Sequence, residues 1–233
     1  MFWIFILVII GYLSGSVPYG IVIGKKFKGI DIRKTGSGNI GTANAVRALG
    51  PFLGGMVFLC DSIKGAIPIL LTLGINKWFP GAIPQNLVNL TITLVGFASI
   101  LGHNYPLFLG FKGGKGIATS FGVFVILDWR AAILSLLVWV IIVTTTKLSS
   151  LGSLMGSISL PILMIVFKSP KEFIIFGFIA SAFAFYKHRA NIGRLLKGEE
   201  KKIVRNRKSD DGDKMADDGD RKSEAGGQKS DNG

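Results

Sequence analysis

The sequence is poor in the side chains that bind metals or form covalent cross-links. Cys60 is its only cysteine, so neither an intrachain disulfide nor a site built from several cysteines can form. The two histidines, His103 and His188, have no histidine, cysteine or carboxylate three or four residues away, which is the spacing of a metal site on a helix. We therefore expect no metal and no metal-dependent cofactor.

Acidic residues are also scarce. The chain has 14 Asp and Glu against 27 Lys and Arg, which gives a formal net charge of +13. Such an excess can indicate nucleic-acid binding, but here the basic residues lie between apolar segments instead of covering a polar domain. The pattern favours an anionic membrane surface and anionic small substrates as partners, and not nucleic acid.

Long apolar runs dominate what is present. Of 233 residues, 49% are hydrophobic, and the apolar runs are continuous over about 16 to 25 residues without the alternation of a barrel strand. This predicts an all-α, polytopic integral membrane protein with about seven transmembrane helices. The fourth is short and follows a Gly-rich approach, which is typical of a broken helix inside protein. The predicted spans are 2–24, 51–75, 84–101, 117–127, 131–146, 151–167 and 173–186.

The positions of Lys and Arg predict the orientation of these spans, because both residues are retained on the cytoplasmic side of short loops. One face carries only Lys77, Arg130, Lys168 and Lys171. The other carries the basic residues of 1–197 that lie outside the predicted spans and are not on the first face, together with all Gly-rich or His-containing polar segments. The N-terminus is therefore expected outside and the C-terminus in the cytoplasm. Residues 1–203 form the membrane domain, and 204–233, rich in Asp, Lys, Ser and Gly, are predicted to be a disordered tail.

The first polar segment, 36–47, contains G-x-G-x-x-G but lies between membrane spans, so a dinucleotide fold is excluded by its context. The glycines let backbone N–H groups approach an anion, and Arg47 can hold phosphate through two parallel hydrogen bonds. An ordinary Gly-rich loop with Asx turns is the alternative. The candidate donors to a bound anion are Ser37, Asn39, Asn44 and Arg47.

The second segment, 102–119, brings a Lys-Gly-Gly-Lys-Gly sequence to the start of a helix. Backbone donors, the positive end of the helix and two ammonium groups can converge there on one anion. The alternative is that these lysines only set the orientation of the neighbouring span in the membrane. Orientation requires their charge but does not explain the glycines that expose the backbone between them. The candidate binding residues are His103, Lys112, Gly113, Gly114 and Lys115.

The third segment, 187–200, follows the last span. A helical continuation places His188 and Asn191 on one face, since residues three apart are neighbours there. Arg194 and Lys197 are equally well explained as a basic anchor on anionic lipid. Within the second span, Asp61 and Lys64 are predicted to form a buried ion pair.

Taken together, the three segments resemble the bacterial acyl-phosphate:glycerol-3-phosphate acyltransferase family. The shared patterns are G-S-G-N-x-G with a later N-x-x-R, then G-H-x-x-P-x-F-L-x-F-K-G-G-K-G-x-A-T, then H-R-x-N-I-x-R-L-L-x-G-x-E. The similarity extends over residues 1–203. In one place the chain departs from it, because Thr42-Ala43 stands where the family commonly has Ala-Thr.

The resemblance implies transfer of a fatty acyl group from acyl phosphate to the 1-hydroxyl of glycerol-3-phosphate, at the cytoplasmic face of a bacterial inner membrane. No cofactor is implied. In this interpretation Arg47, Ser37 and one of Lys112 and Lys115 hold phosphate, while His188 and Asn191 orient the attacking hydroxyl as the catalytic residues. Either His188 or a substrate phosphate oxygen takes the proton. A transporter or channel for organic phosphates is the alternative from another class.

Overall fold

The computed structural model describes residues 1–203. The predicted tail, 204–233, lies outside the described residues. Within 1–203 all regular secondary structure is helical, as predicted, with short 3-10 turns at Ile32–Lys34, Gln85–Leu87 and Leu107–Leu109. The α-helices are α1 Phe2–Ser16, α2 Tyr19–Lys28, α3 Thr42–Leu49, α4 Pro51–Trp78, α5 Val88–Asn104, α6 Ile117–Leu127, α7 Trp129–Thr146, α8 Ser149–Val166, α9 Lys171–Lys187 and α10 Arg189–Leu196.

Five helical stretches of the described chain are long and apolar enough to cross a membrane: Phe2–Lys28, Pro51–Trp78, Gln85–Leu109, Trp129–Thr146 and Ser149–Val166. The first is broken between α1 and α2 at Pro18, which has no N–H to donate. Helices α6 and α9 are apolar but shorter, with 11 and 17 residues. The short fourth helix was predicted with the bounds that α6 has.

Small residues let the helices approach closely. Where α1 crosses α5, a Cβ on Gly15 would overlap the main chain of Ser99, and one on Gly102 would overlap the carbonyl oxygen of Tyr12. Gly122 on α6 lies equally close to the main chain of Ser62 on α4. Such contacts are typical of helices packed in a bilayer, where association depends on close van der Waals contact.

The helix bundle has an aromatic centre and an apolar exterior. Phe124 on α6 and Phe176 on α9 are both almost fully buried, and their rings stack with centroids 4.9 Å apart. Large apolar side chains such as Leu59, Ile67, Leu137 and Ile162 point outward and are more than half exposed. In water this exterior would be unfavourable, so it fits contact with lipid.

The predicted ion pair inside α4 is confirmed. Lys64 Nζ lies 2.7 Å from Asp61 Oδ1, and both side chains are almost completely buried. Lys64 Nζ also donates to the carbonyl oxygen of Val17, at 2.7 Å, in the break between α1 and α2. The pair therefore fixes α4 against the broken first span, and a buried charge left without its partner is strongly unfavourable.

Removing one member of this pair is expected to destabilise the fold by about 3–5 kcal/mol, because the other charge stays buried. We predict a lower thermal unfolding midpoint in detergent for Asp61→Leu or Lys64→Met alone, and a partial recovery in the double variant. The exposed Lys112→Met serves as the control and should change stability by less than about 0.5 kcal/mol. Additive losses in the double variant would show that the two charges do not interact.

Candidate active site

A single cavity collects residues from all three polar segments. Its volume is about 310 Å³, and its lining includes side chains of α3, α4, α5, α6, α7, α8, α9 and α10. Segments that are far apart in the sequence thus share one cavity. The predicted site residues in its lining are Ser37, Asn39, Asn44, Arg47, His103, Lys115, His188 and Asn191.

In the first segment, Asn44 shapes the loop instead of offering hydrogens to an anion. Its Nδ2 donates to the carbonyl oxygens of Ile32 and Asn39, both at 2.8 Å, and its Oδ1 accepts from the N–H of Ser37 at 2.7 Å. Both amide hydrogens are therefore used within the protein, and the predicted role of Asn44 as an anion donor is replaced by a structural one. Asn39 Oδ1 closes an Asx turn on the N–H of Gly41, at 2.8 Å.

Arg47 also has partners within the protein. Its Nε and Nη2 donate to the carbonyl oxygens of Lys202 and Lys201, at 3.0 and 2.9 Å. The planar fork that was expected to hold phosphate thus holds the chain that follows α10. Because guanidinium has five N–H donors, Arg47 keeps hydrogens and a full charge for a ligand at the cavity mouth.

The two lysines of the second segment are placed differently. Lys115 lines the cavity, whereas Lys112 is exposed and does not, so the prediction that either lysine could face the anion is corrected to Lys115. The backbone is left-handed at Gly110 and Phe111, just before Lys112, and again at Gly116, just after Lys115. Along this loop only the second lysine faces the cavity.

Gly113 and Gly114 are absent from the cavity lining and pack on His103 instead. The N–H of Gly114 donates to the carbonyl oxygen of His103 at 3.1 Å, and a Cβ on Gly114 would overlap the Nε2 of the same imidazole. The N–H of Gly114 is thus used within the protein, whereas the role of Gly113 as a backbone donor to an anion stays a prediction. Only glycine leaves room for this imidazole beneath the loop.

A chain of hydrogen bonds joins the second and third segments. Lys115 Nζ donates to Asn191 Oδ1 at 2.6 Å, Asn191 Nδ2 donates to Glu200 Oε1 at 2.6 Å, and Arg194 Nε donates to Glu200 Oε2 at 2.8 Å. Arg194, which the sequence allowed as a lipid anchor, therefore belongs to the cavity wall. The chain fixes the orientation of the Asn191 amide completely.

Burial and neighbouring charges lower the pKa of Lys115 to about 8. Desolvation is the main cause, Glu200 acts in the opposite direction, and the cations Arg194 and Arg47 add to the lowering. The pKa of Glu200 is lowered as well: its burial works against this, but hydrogen bonds from Asn191 and Arg194 outweigh it. The mouth of the cavity therefore carries its positive charge at neutral pH.

His188 is buried at the junction of α9 and α10, and its Nδ1 lies 2.8 Å from the carbonyl oxygen of Ala184. Desolvation, together with the charge of Lys115, lowers its pKa to about 4. The ring is thus neutral at pH 7 with Nδ1–H donating to Ala184, which leaves Nε2 as an acceptor. Burial therefore moves the pKa of His188 well below the ordinary imidazole value of about 6.5.

Two carboxylates of the site were missed from the sequence. Asp61 lines the cavity floor and its Oδ1 lies 3.7 Å from His103 Nδ1, although the two residues are far apart in the chain. The sequence feature that could have identified Asp61 is its position within an apolar span, because a charged residue there is by default a candidate for a functional role. In the sequence, Glu200 appeared only as the final residue of the third shared pattern.

Within residues 1–203, no group of three or more His, Cys, Asp and Glu is placed to hold a metal ion.

The lining has two chemically distinct parts. Four cationic residues, Arg47, Lys115, Arg194 and Lys201, surround the mouth with Glu200, and Asp61 lies deeper. Beyond them, between α6, α7, α8 and α9, the lining consists mainly of apolar side chains with serines among them. Such a cavity can bind a phosphate group and a hydrocarbon chain of the same or of neighbouring molecules.

These features define an integral membrane acyltransferase. Residues 5–198 match the model of the glycerol-3-phosphate acyltransferase family, and the chain belongs to that family. The glycerol-3-phosphate acyltransferase of Desulforamulus reducens is 42% identical over 201 residues, covering 85% of this chain and 94% of the relative. That of Aquifex aeolicus is 42% identical over 197 residues, covering 83% of this chain and 96% of the relative.

Solved structures agree with this assignment. The crystal structure of PlsY (YgiH), an integral membrane glycerol 3-phosphate acyltransferase in its glycerol 3-phosphate form, has a TM-score of 0.75 and 41% identity. It covers 85% of this chain, and this chain covers 94% of it. A second structure of PlsY, in its lysophosphatidic acid form, has the same TM-score with 40% identity.

Glu200 and its neighbour Glu199 offer a matched test of the hydrogen-bond chain. Glu200→Ala removes two charge-assisted bonds, each contributing about 1.5–3 kcal/mol, and releases Asn191 and Arg194. We predict a clear loss of acyl transfer and a lower thermal midpoint. Glu199→Ala removes an exposed carboxylate of the same size and charge, and should leave both unchanged. Equal effects of the two substitutions would contradict the role of the chain.

Proposed function

We propose that the protein transfers a fatty acyl group from acyl phosphate to the 1-hydroxyl of glycerol-3-phosphate and releases inorganic phosphate. The product is 1-acyl-glycerol-3-phosphate, or lysophosphatidate, an intermediate of phospholipid synthesis. The observation that carries this proposal is that one cavity has a cationic mouth and, beyond it, a mainly apolar part. Both substrates have a phosphate that fits the mouth, and the acyl chain fits the apolar part.

Glycerol-3-phosphate as acceptor and lysophosphatidate as product are supported by the relatives. The similar PlsY structures are described as a glycerol 3-phosphate form and a lysophosphatidic acid form. In this chain we assign phosphate binding to Lys115, to the free hydrogens of Arg47 and to the exposed Ser37, which all line the mouth. Asn39 and Asn44 support the loop that presents Ser37. Gly113 and Gly114, packed on His103, support the loop that carries Lys115.

Acyl phosphate as donor does not require a strong protein nucleophile, because it is already activated. The hydroxyl oxygen attacks the carbonyl carbon, the bond from that carbon to the phosphate oxygen breaks, and phosphate leaves. Because phosphate is a good leaving group, positioning and stabilisation of charge supply most of the acceleration. The cations at the mouth lie where the charge of the departing phosphate develops.

Asn191 and His188 orient the attacking hydroxyl in this proposal. The lowered pKa makes His188 a weak base but leaves Nε2 as a hydrogen-bond acceptor for the hydroxyl. We therefore assign the proton to an oxygen of the departing phosphate, whose ordinary pKa is near 6 and better matched to neutral pH. The amide of Asn191 is fixed by Lys115 and Glu200, so it cannot rotate away.

Two-substrate turnover by the purified protein tests the function. The protein in lipid vesicles, with a chelator present, is given acyl phosphate and glycerol-3-phosphate, and phosphate release and lysophosphatidate are measured. We expect release that depends on both substrates. Accumulation of glycerol-3-phosphate inside the vesicles without product would instead support the alternative, an organic-phosphate transporter.

We also propose the finer topology: seven spans, with α6 and α9 included, an outside N-terminus and a cytoplasmic C-terminus in a bacterial inner membrane. The asymmetric distribution of Lys and Arg supports it. Reporters fused after Lys34 or Lys197 are expected to report a cytoplasmic location, and one after Lys77 an external location. The reverse pattern would place the cavity mouth outside and remove its access to cytoplasmic substrates.

The pKa of Lys115 predicts how substrate binding depends on pH. Its folded-state pKa is lowered to about 8, so its charge is complete below that value and is lost as the pH rises through it. The KM for glycerol-3-phosphate should therefore rise above about pH 8. In Lys115→Arg the rise should vanish, since guanidinium stays charged. The exposed Lys112→Arg is the control and should behave as wild type; a pH-independent wild-type KM would contradict the assignment.

The substitution His188→Gln distinguishes two roles of His188, positioning of the attacking hydroxyl and removal of its proton. We predict a fall in kcat of roughly 10²-fold with a smaller change in KM, because the hydroxyl loses its orientation. The shape of the pH profile between about 5 and 8 should stay that of wild type, since the pKa of His188 is about 4. An acid limb near 6.5 that is present in wild type and absent in the variant would make His188 the base.

A further inference from the structure

Beyond its cationic mouth the cavity continues as a narrow apolar space, here called the acyl slot. On α8 its lining recurs at Ser149, Ser153, Gly156 and Leu160, three or four residues apart, so one helix face forms its wall. At the rise of an α-helix this wall is about 16 Å long. The other walls come from α6, α7 and α9, through Phe124, Ala132, Leu136 and Ala180.

Small side chains keep the acyl slot open. Ala132 on α7 and Ala180 on α9 both line it, and Gly156 on α8 faces α7 across it. A Cβ on Gly156 would lie 3.2 Å from the carbonyl oxygen of Ser135, so even one added carbon narrows the space between these helices. The width of the slot therefore depends on the absence of bulk at these positions.

Three serines of the slot present an apolar surface to it. Ser153 and Ser157 donate to carbonyl oxygens one turn back, at 2.8 and 2.6 Å, and Ser181 donates to Gly177 at 2.8 Å. Their hydroxyl hydrogens are thus used within α8 and α9. Ser135 and Ser150, which also line the cavity, differ, because their hydroxyls have no hydrogen-bond partner among the described residues. The slot is therefore suited to a hydrocarbon chain over most of its length.

The far end of the slot is closed by packed core. Phe124 lines the slot with 1% of its surface exposed, and its other face stacks on Phe176. One turn beyond Leu160, Met164 is completely buried and no longer in the lining. The slot thus ends at Phe124, Ala132 and Leu160, which separate it from the centre of the bundle.

We propose that Phe124, Ala132 and Leu160 form a length stop that sets which acyl chains the enzyme accepts. The proposal rests on acyl transfer and on the placement of the acyl chain in the slot. Each methylene that enters the slot should improve binding by about fourfold, as apolar burial does. Once the chain reaches the stop, further methylenes find no room, and the gain should end.

Binding of a series of 1-acyl-glycerol-3-phosphates with chains of roughly 8 to 18 carbons tests the stop, since each methylene contributes its own increment. Thermal stabilisation of the full-length protein in a fixed amount of detergent measures binding without any acyl donor. The readout is the ratio of variant to wild-type affinity at each chain length. Partition of the ligand into detergent lowers both affinities equally, so it cancels in that ratio.

The chain length at which the gain in affinity ends is here called the break. Two substitutions should move this break in opposite directions. Ala132→Leu adds bulk at the stop and should weaken the longest chains by about tenfold while the shortest change less than about twofold. Leu160→Ala removes bulk and should extend the gain to longer chains. Ile133→Phe is the matched control, because it adds the same number of carbon atoms to the next residue of α7, which is 46% exposed on the outer face. It should leave the series unchanged.

The possible outcomes separate this proposal from the proposed function. Equal weakening of all chain lengths in both stop variants, or the same shift in Ile133→Phe, would overturn the stop. A wild-type series without any break would do so as well, even if acyl phosphate is turned over. If acyl phosphate gives no turnover but the break still moves in opposite directions, the donor assignment fails and the length stop stands.

Discussion

The hydrogen-bond chain from Lys115 through Asn191 to Glu200 holds the site together. The chain crosses from the Gly-rich approach to α6 to the helix that follows the last span, so it joins parts of the sequence that no local interaction connects. Arg47 reinforces the same closure by binding the carbonyl oxygens of Lys201 and Lys202. Without these contacts the cavity would lose one wall, and its cations would spread over the membrane surface.

Burial gives these polar groups their chemical character. A charged side chain out of water is tolerated when it has partners, as Asp61 and Lys64 have in α4. At the mouth, burial has a functional consequence, because it lowers the pKa of Lys115 and of His188 together. Lys115 stays charged at neutral pH while His188 stays neutral, so one group attracts phosphate and the other accepts a hydrogen bond.

Much of this architecture was predictable from the sequence, and the limits have physical reasons. Apolar runs and Gly-rich polar segments predicted the helices, the short α6 and the meeting of three segments in one site. Which of Lys112 and Lys115 faces the cavity was not predictable, because the path of their loop includes left-handed backbone at Phe111, a residue that rarely adopts it. The proximity of Asp61 to His103 depends on helix packing, and the low pKa of His188 on burial, neither of which a local pattern contains.

The most direct test of the account is an experimental structure of the protein with glycerol-3-phosphate bound. We expect the phosphate within hydrogen-bond distance of Lys115 Nζ and of Arg47, with the 1-hydroxyl directed toward His188 Nε2 and the Asn191 amide. The hydroxyl should face the opening of the acyl slot. Phosphate bound at the exposed Lys112, or a 1-hydroxyl directed away from His188 and the slot, would contradict the assignment of this cavity as the site of acyl transfer.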